Sequence, residues 1–190
     1  MTDEDIVKRV QKGDKEAYSY LIDRYKDKVY GMVYGYTYHS SDTNDLSQEV
    51  FIRAFRQIHT FKFQSKVSTW LYRIATNCCI DWDRKRRKEQ QLLSWIQESA
   101  EEHQDHLPEY QLLANEQREI VREIVNKLPH QYKMLIIMYH FQNLKYKEIG
   151  EILDMPVKTV EVGLYRARKM IRKQIEIQSG GEGVLWSVEK

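Results

Sequence analysis

The chain has 190 residues, 42% of them hydrophobic and 31% charged, which suits one larger domain or two small ones joined by a linker. Its 30 Lys+Arg against 28 Asp+Glu leave a formal net charge of only +2, so no global excess marks it for a polyanion, and any such signal has to lie in the distribution. Two adjacent cysteines, Cys78 and Cys79, exclude a disulfide framework and a Cys-x-x-Cys motif, while the acidic start MTDEDIVKRV and the lack of a long apolar run point to a cytoplasmic protein.

Prolines occur only at Pro108, Pro129 and Pro156, and apolar residues recur at three- and four-residue spacing, which predicts an all-α chain. Thr2 with Asp5 can cap a first helix and Asp14 a second, whose apolar face is Tyr18, Leu21, Ile22, Tyr25, Val29 and Val33. GYTYHSSD breaks that pattern. Asp42 or Thr43 can then cap a third helix, with Leu46, Val50, Ala54, Phe55 and Ile58 inward and Asp45, Gln48, Glu49 and Arg56 on other faces. After the loop FKFQSKV, Ser68 or Thr69 can cap a fourth helix that turns Leu71, Ile74, Ala75 and Cys78 inward and ends in the cluster Arg84 to Lys88.

From about Gln97 to Glu119 acids outnumber the single base Arg118, which predicts a linker. The expected organisation is a helical domain over 1–92, an acidic linker over 93–115, a helix-turn-helix domain over 116–176 and a flexible tail over 177–190. In the second domain Ile120, Val121, Ile124, Val125 and Leu128 precede Pro129, and a further apolar helix spans about Tyr132 to Phe141. The stretch LKYKEIGEILDMPVKTVEVGLYRARKMIRKQI then reads as two helices with a tight turn at Asp154 and Met155. Ile149, Ile152 and Leu153 face inward from the first, Val157, Val160 and Leu164 from the second, and Gly150 permits a close approach.

The succession DTNDLSQEVFIRAFRQIHTF, STWLYRIATNCCIDWDRKRRK and a C-terminal helix-turn-helix resembles an RNA polymerase sigma factor of the extracytoplasmic-function (ECF) type over roughly residues 5 to 175. The resemblance implies that Asp45, Gln48, Glu49 and Arg53 form a polymerase-binding surface, polar as suits rapid and specific association. It implies further that Trp70, Tyr72 and Asn77, with Lys62 and Lys66 of the loop and the cations Arg84, Arg86 and Arg87, recognise and help melt the minus-ten element. In such a site aromatic faces stack bases and cations track phosphates. Lys158, Thr159, Arg166, Arg168 and Lys169 would read the minus-thirty-five element as duplex. Glu161-Val162-Gly163 departs from the family, which commonly carries a base or hydroxyl followed by Arg there.

The implied partners are core RNA polymerase, promoter DNA and an anti-sigma factor that some relatives anchor in the membrane. No cofactor, metal or catalytic residue is implied. Charged helix faces are ordinarily just solvated, and core packing is the commoner fate of Trp70 and Tyr72. One competing reading is a metal-dependent nuclease using Asp42, Asp45, Glu49 and His39, with His103 and His106 as a weaker metal hint. The other is a conventional helix-turn-helix regulator that binds closed duplex without polymerase.

Overall fold

Thr2 and Asp5 close a reciprocal capping box at the start of α1 (Asp3–Gln11), as their spacing predicts. In this computed structural model, which describes residues 1–96 and 121–178, every regular element of the described residues is helical. Asp14 caps a single 3-10 turn, Lys15–Ala17, that leads into α2 (Tyr18–Thr37). The apolar face of α2 is buried as read, with Ile22 half-covered, Met32 added to it and Tyr36 extending it beyond the expected end. The break is shorter than the sequence suggests. Tyr38 turns the chain in a left-handed conformation, and α3 (Ser40–Gln57) starts at once.

Asp42 and Thr43 therefore lie inside the first turn of α3 rather than capping it. The Thr43 hydroxyl is spent within the core, 2.7 Å from that of Thr37 and donating to the His39 carbonyl. Likewise α4 (Val67–Ile96) begins one to two residues before the expected Ser68 or Thr69 cap. Leu46, Val50, Ala54, Ile58, Leu71, Ile74, Ala75 and Cys78 all enter the core, joined by Phe51. Burial pushes the Cys78 thiol up to about 11 and the Cys79 thiol higher still, so both stay protonated and unreactive at neutral pH.

One buried hydroxyl ties the bundle: Tyr18 Oη donates to the Phe51 carbonyl at 2.7 Å across α2 and α3. Tyr18→Phe keeps the ring and deletes that bond, so we expect a loss of about 1 kcal/mol in thermal or denaturant unfolding.

The C-terminal unit opens with helical residues 121–126 (α5), and Pro129 precedes α6 (His130–Ile136), which continues into a π-helical turn, Ile137–Phe141. Then follow α7 (Tyr146–Leu153) and α8 (Val157–Gln178). Asp154 takes the left-handed conformation at the turn, as its place between the helices requires. A Cβ on Gly150 would meet the Met155 carbonyl oxygen at 2.7 Å, so the close approach is by the turn itself more than by α8. Val160 and Leu164 are buried but Val157, the first residue of α8, is 46% exposed, contrary to its expected inward face. The helix α4 runs on to Ile96, past the expected start of the linker at 93. The rest of that linker, with His103 and His106, and the tail beyond 178 lie outside the described residues.

Candidate partner-binding and nucleic-acid surfaces

On α3 the spacing of Asp45, Gln48 and Glu49 brings their side chains to one outward face, with Asp45 and Gln48 exposed. Arg53 is committed elsewhere: its Nε donates to Glu49 Oε1 and its Nη1 to Asp81 Oδ2, each at 2.7 Å, so it brackets α3 to α4. Both carboxylates hold the guanidinium more firmly charged than usual. Sequence reasoning missed Ile52, 45% exposed and on the face defined by Asp45, Gln48 and Glu49. Its i+3/i+4 spacing was the signal available.

The loop before α4 presents Lys62 and Lys66 to solvent, and between them Phe63 adopts φ +58°. That region is unusual for a bulky residue and holds the ring outward, 37% exposed. Phe63 meets Phe61 edge-on at 5.0 Å, Phe61 leans on half-buried Trp70 at 5.1 Å, and Lys8 of α1 lies 5.5 Å over Phe63. Of this run only Phe63 has an exposed ring, and with Lys8, Lys62 and Lys66 around it such a ring is chemically able to stack an unstacked base. The sequence reading overlooked Phe63, whose exposure follows from a backbone conformation that no pattern encodes.

Farther along α4, Asn77 is exposed, whereas Tyr72 is buried, only 5% accessible, and turned away from the Asn77 face. At the basic end Arg84 and Arg87 are exposed, Arg87 pairing with Asp83 at 3.0 Å, and the Arg86 guanidinium covers the Trp82 ring at 5.2 Å. These pairs are solvent-facing and cost little to exchange for phosphates.

On α8 the outward face carries Lys158, Thr159, Glu161, Val162, Tyr165, Arg166 and Lys169. Val162 is 37% exposed, and Tyr165, 67% exposed, is a surface residue that the cations dominating the run obscure in the sequence. Lys158 Nζ reaches Glu161 Oε2 at 3.1 Å. Arg168 departs from the set: half-buried, it lies 5.2 Å over the Tyr139 ring and fastens α8 to the π-helical turn. Gly163 is explained by packing, since a Cβ there would come within 2.5 Å of Leu135 Cδ1 where α6 crosses α8.

Among the described residues no three His, Cys, Asp or Glu side chains gather to hold a metal ion, so the nuclease alternative has no assembled site there. Nor is any described helix long and apolar enough to cross a membrane.

Comparison with known proteins gives Sigma-70 region 2 over residues 21–89 and Sigma-70, region 4 over residues 118–171. The chain is 36% identical to the ECF RNA polymerase sigma factor SigW of Bacillus subtilis over 179 residues, covering 89% of this chain and 94% of that one. It is 37% identical to the ECF RNA polymerase sigma-E factor of Haemophilus influenzae over 183 residues, or 93% and 96% of the two chains. Two solved structures share the fold at 18% identity. CnrH in complex with the cytosolic domain of CnrY gives TM-score 0.68 over 92% of this chain and 97% of that one. RpoE of Bartonella quintana, in complex with the anti-sigma factor NepR, gives 0.62 over 84% and 97%.

Proposed function

The chain belongs to the ECF RNA polymerase sigma factors, and from that premise we propose how its residues divide the work of directing core polymerase to promoters. Residues 1–92 act as the polymerase-binding and minus-ten domain, and residues 116–176 as the minus-thirty-five domain. The factor catalyses nothing itself and works in the cytoplasm. An anti-sigma factor is a fitting inhibitor, since the Bartonella RpoE was solved bound to the anti-sigma factor NepR.

Asp45, Gln48 and Glu49 dock polymerase, with Ile52 supplying the apolar contact that a purely charged patch lacks. The observation that carries the minus-ten assignment is the row Phe63, Phe61, Trp70 beside Lys62 and Lys66, where the loop enters the helix that bears exposed Asn77 and the Arg84 to Lys88 cluster. Stacking on such a row offsets the unstacking of a base, and the cations hold the strand's phosphates. Neutralising Arg84, Arg86 and Arg87 together should leave core binding intact and reduce promoter opening about tenfold. Pull-down and permanganate footprinting read the two steps separately, and undiminished opening would remove these arginines from the melting step.

For the minus-thirty-five element, Lys158, Arg166 and Lys169 face phosphates, while Thr159, Glu161, Val162 and Tyr165 in the first turns of α8 address base edges. An acid on a face that meets a polyanion is repelled unless it accepts from a base amine, so Glu161 reads a cytosine amino group, and Val162 and Tyr165 favour thymine methyls. Glu161→Gln should move the preferred base at one position toward adenine by about tenfold in binding selections with duplex libraries. A uniform rise in affinity with unchanged preference would leave Glu161 a bystander.

A further inference from the structure

Gln11, the last residue of α1, stands at a junction that no periodic pattern marks. Its side-chain amide donates to two backbone carbonyls, that of Ile58 at 2.8 Å and that of Phe61 at 3.0 Å, across 47 and 50 residues of sequence. These carbonyls close the single 3-10 turn Ile58–Thr60 that follows α3, where a helix leaves its last acceptors without intrahelical donors. Thr60 satisfies the Gln57 carbonyl locally at 2.7 Å, and the Phe61 amide returns to Ile58 at 3.2 Å. The Gln11 amide comes from a different helix and ties this end of α3 to α1.

The Phe61 carbonyl belongs to the peptide that leads into Lys62, so its orientation sets the direction in which the loop leaves the bundle. Two residues on, Phe63 holds φ +58°. A bulky residue keeps that conformation only where its surroundings over-determine it. With Gln11 released, Phe63 relaxes to negative φ and its ring leaves the edge of Phe61. The support is itself fixed: Ile6, Val7 and Val10 bury one side of α1, and the Asp3 carboxylate accepts from the Tyr25 hydroxyl and the Arg24 guanidinium of α2. Three residues before Gln11, and so on the same side of α1, exposed Lys8 lies 5.5 Å over the Phe63 ring.

We propose that α1 is a working part of the minus-ten site: Gln11 is the positioning residue that holds the loop over residues 61–63 in its base-receiving form, and Lys8 meets the phosphate of the nucleotide whose base stacks on Phe63. This rests on the function proposed above and extends the site to a helix outside the loop and α4. Lys8 covers one face of the ring through a solvent-facing contact that is readily exchanged. A base arriving on that face displaces the ammonium, and the phosphate of the same nucleotide accepts it. Gln11 touches no DNA and acts through Phe63.

Gln11→Leu keeps the bulk of the side chain and deletes both donors. The test uses the full chain bound to core polymerase, on promoters recovered by transcription of fragmented genomic DNA, with initial binding and opening separated by the lag in abortive product formation. Gln11→Leu should slow opening about tenfold while core affinity and initial promoter binding stay unchanged. Phe63→Ala should cost at least as much, and the double variant no more than Phe63→Ala alone, since without the ring Gln11 has nothing to position. Lys8→Met should lower the salt slope of open-complex formation by about 0.7, the share of one single-strand phosphate contact.

Undiminished opening in Gln11→Leu, or additive losses in the double variant, would overturn the positioning role. So would a parallel loss of core affinity, which would make Gln11 a support of the whole bundle rather than of the loop. An unaltered salt slope in Lys8→Met would overturn the phosphate contact. If the parent chain opens no promoter, the functional reading fails and this inference with it, whereas a parent that opens promoters no faster than Gln11→Leu sinks the inference alone.

Discussion

Asp45→Arg should lower the affinity of this chain for core RNA polymerase by about ten- to a hundredfold while leaving thermal unfolding unchanged. Asp45 is exposed and without an ion pair among the described residues, so the substitution removes nothing from the fold, and it sets a cation where the proposed interface presents an acid. Neutralising Asp45 and Glu49 together is a less clean experiment. Glu49 is one of the two carboxylates that bracket Arg53 between α3 and α4, so its loss loosens the helix pair as well as the surface. Binding to core polymerase, measured alongside a melting curve, checks the expectation. Unaltered affinity in Asp45→Arg would move the polymerase surface off this face of α3.

Gly150→Ala should destabilise the C-terminal unit by about 1–3 kcal/mol, a fall of about 5–20 °C in its unfolding midpoint, and weaken minus-thirty-five binding with it. The added methyl would lie 2.7 Å from the Met155 carbonyl oxygen. That atom is backbone, and no rotamer change relieves it, so the turn between α7 and α8 has to move. Alanine's helix preference, about 1 kcal/mol over glycine, works the other way and does not suffice. Gly163→Ala gives the contrast. Its methyl meets Leu135 Cδ1, the end of a side chain rather than backbone, so a shift of Leu135 within the core relieves the contact and, with the propensity gain, makes the loss smaller than at Gly150. Thermal unfolding of both variants tests the pair, and equal losses would contradict the distinction between backbone and side-chain crowding.

The contrast also shows what a sequence can and cannot carry. Periodicity located the core faces of α2, α3 and α4 because burial of one stripe is what makes an amphipathic helix stable, and Leu21, Val50 and Leu71 are buried accordingly. It located the turn at Asp154 for the same kind of local reason. Helix starts were less legible. α3 begins at Ser40 without a side-chain cap, because Thr43 is drawn into a buried hydroxyl pair with Thr37 that only the packed bundle creates.

The surfaces were legible to the extent that helical spacing determines them. Asp45, Gln48, Asn77, Lys158 and Arg166 face outward as read, while Arg53, Tyr72 and Arg168 face other parts of the protein. Each of those three is diverted by a tertiary partner: Asp81 on α4, the C-terminal unit over α4, and Tyr139 on the π-helical turn. Phe63 was invisible for the opposite reason, since its exposure depends on a positive φ in a loop that carries no periodic signal. Gly163, part of the Glu161-Val162-Gly163 departure from the family pattern, lies where α6 crosses α8, a packing role that the sequence pattern does not display.

The most direct test of the central claim mixes the purified chain with bacterial core RNA polymerase lacking any sigma factor and sequences the transcripts made from fragmented genomic DNA. Discrete new start sites that share a pair of upstream elements are expected, with a base preference in the upstream element that changes in Glu161→Gln. Tight binding of the chain alone to closed duplex, with no polymerase association and no new starts, would contradict it and identify a conventional helix-turn-helix regulator.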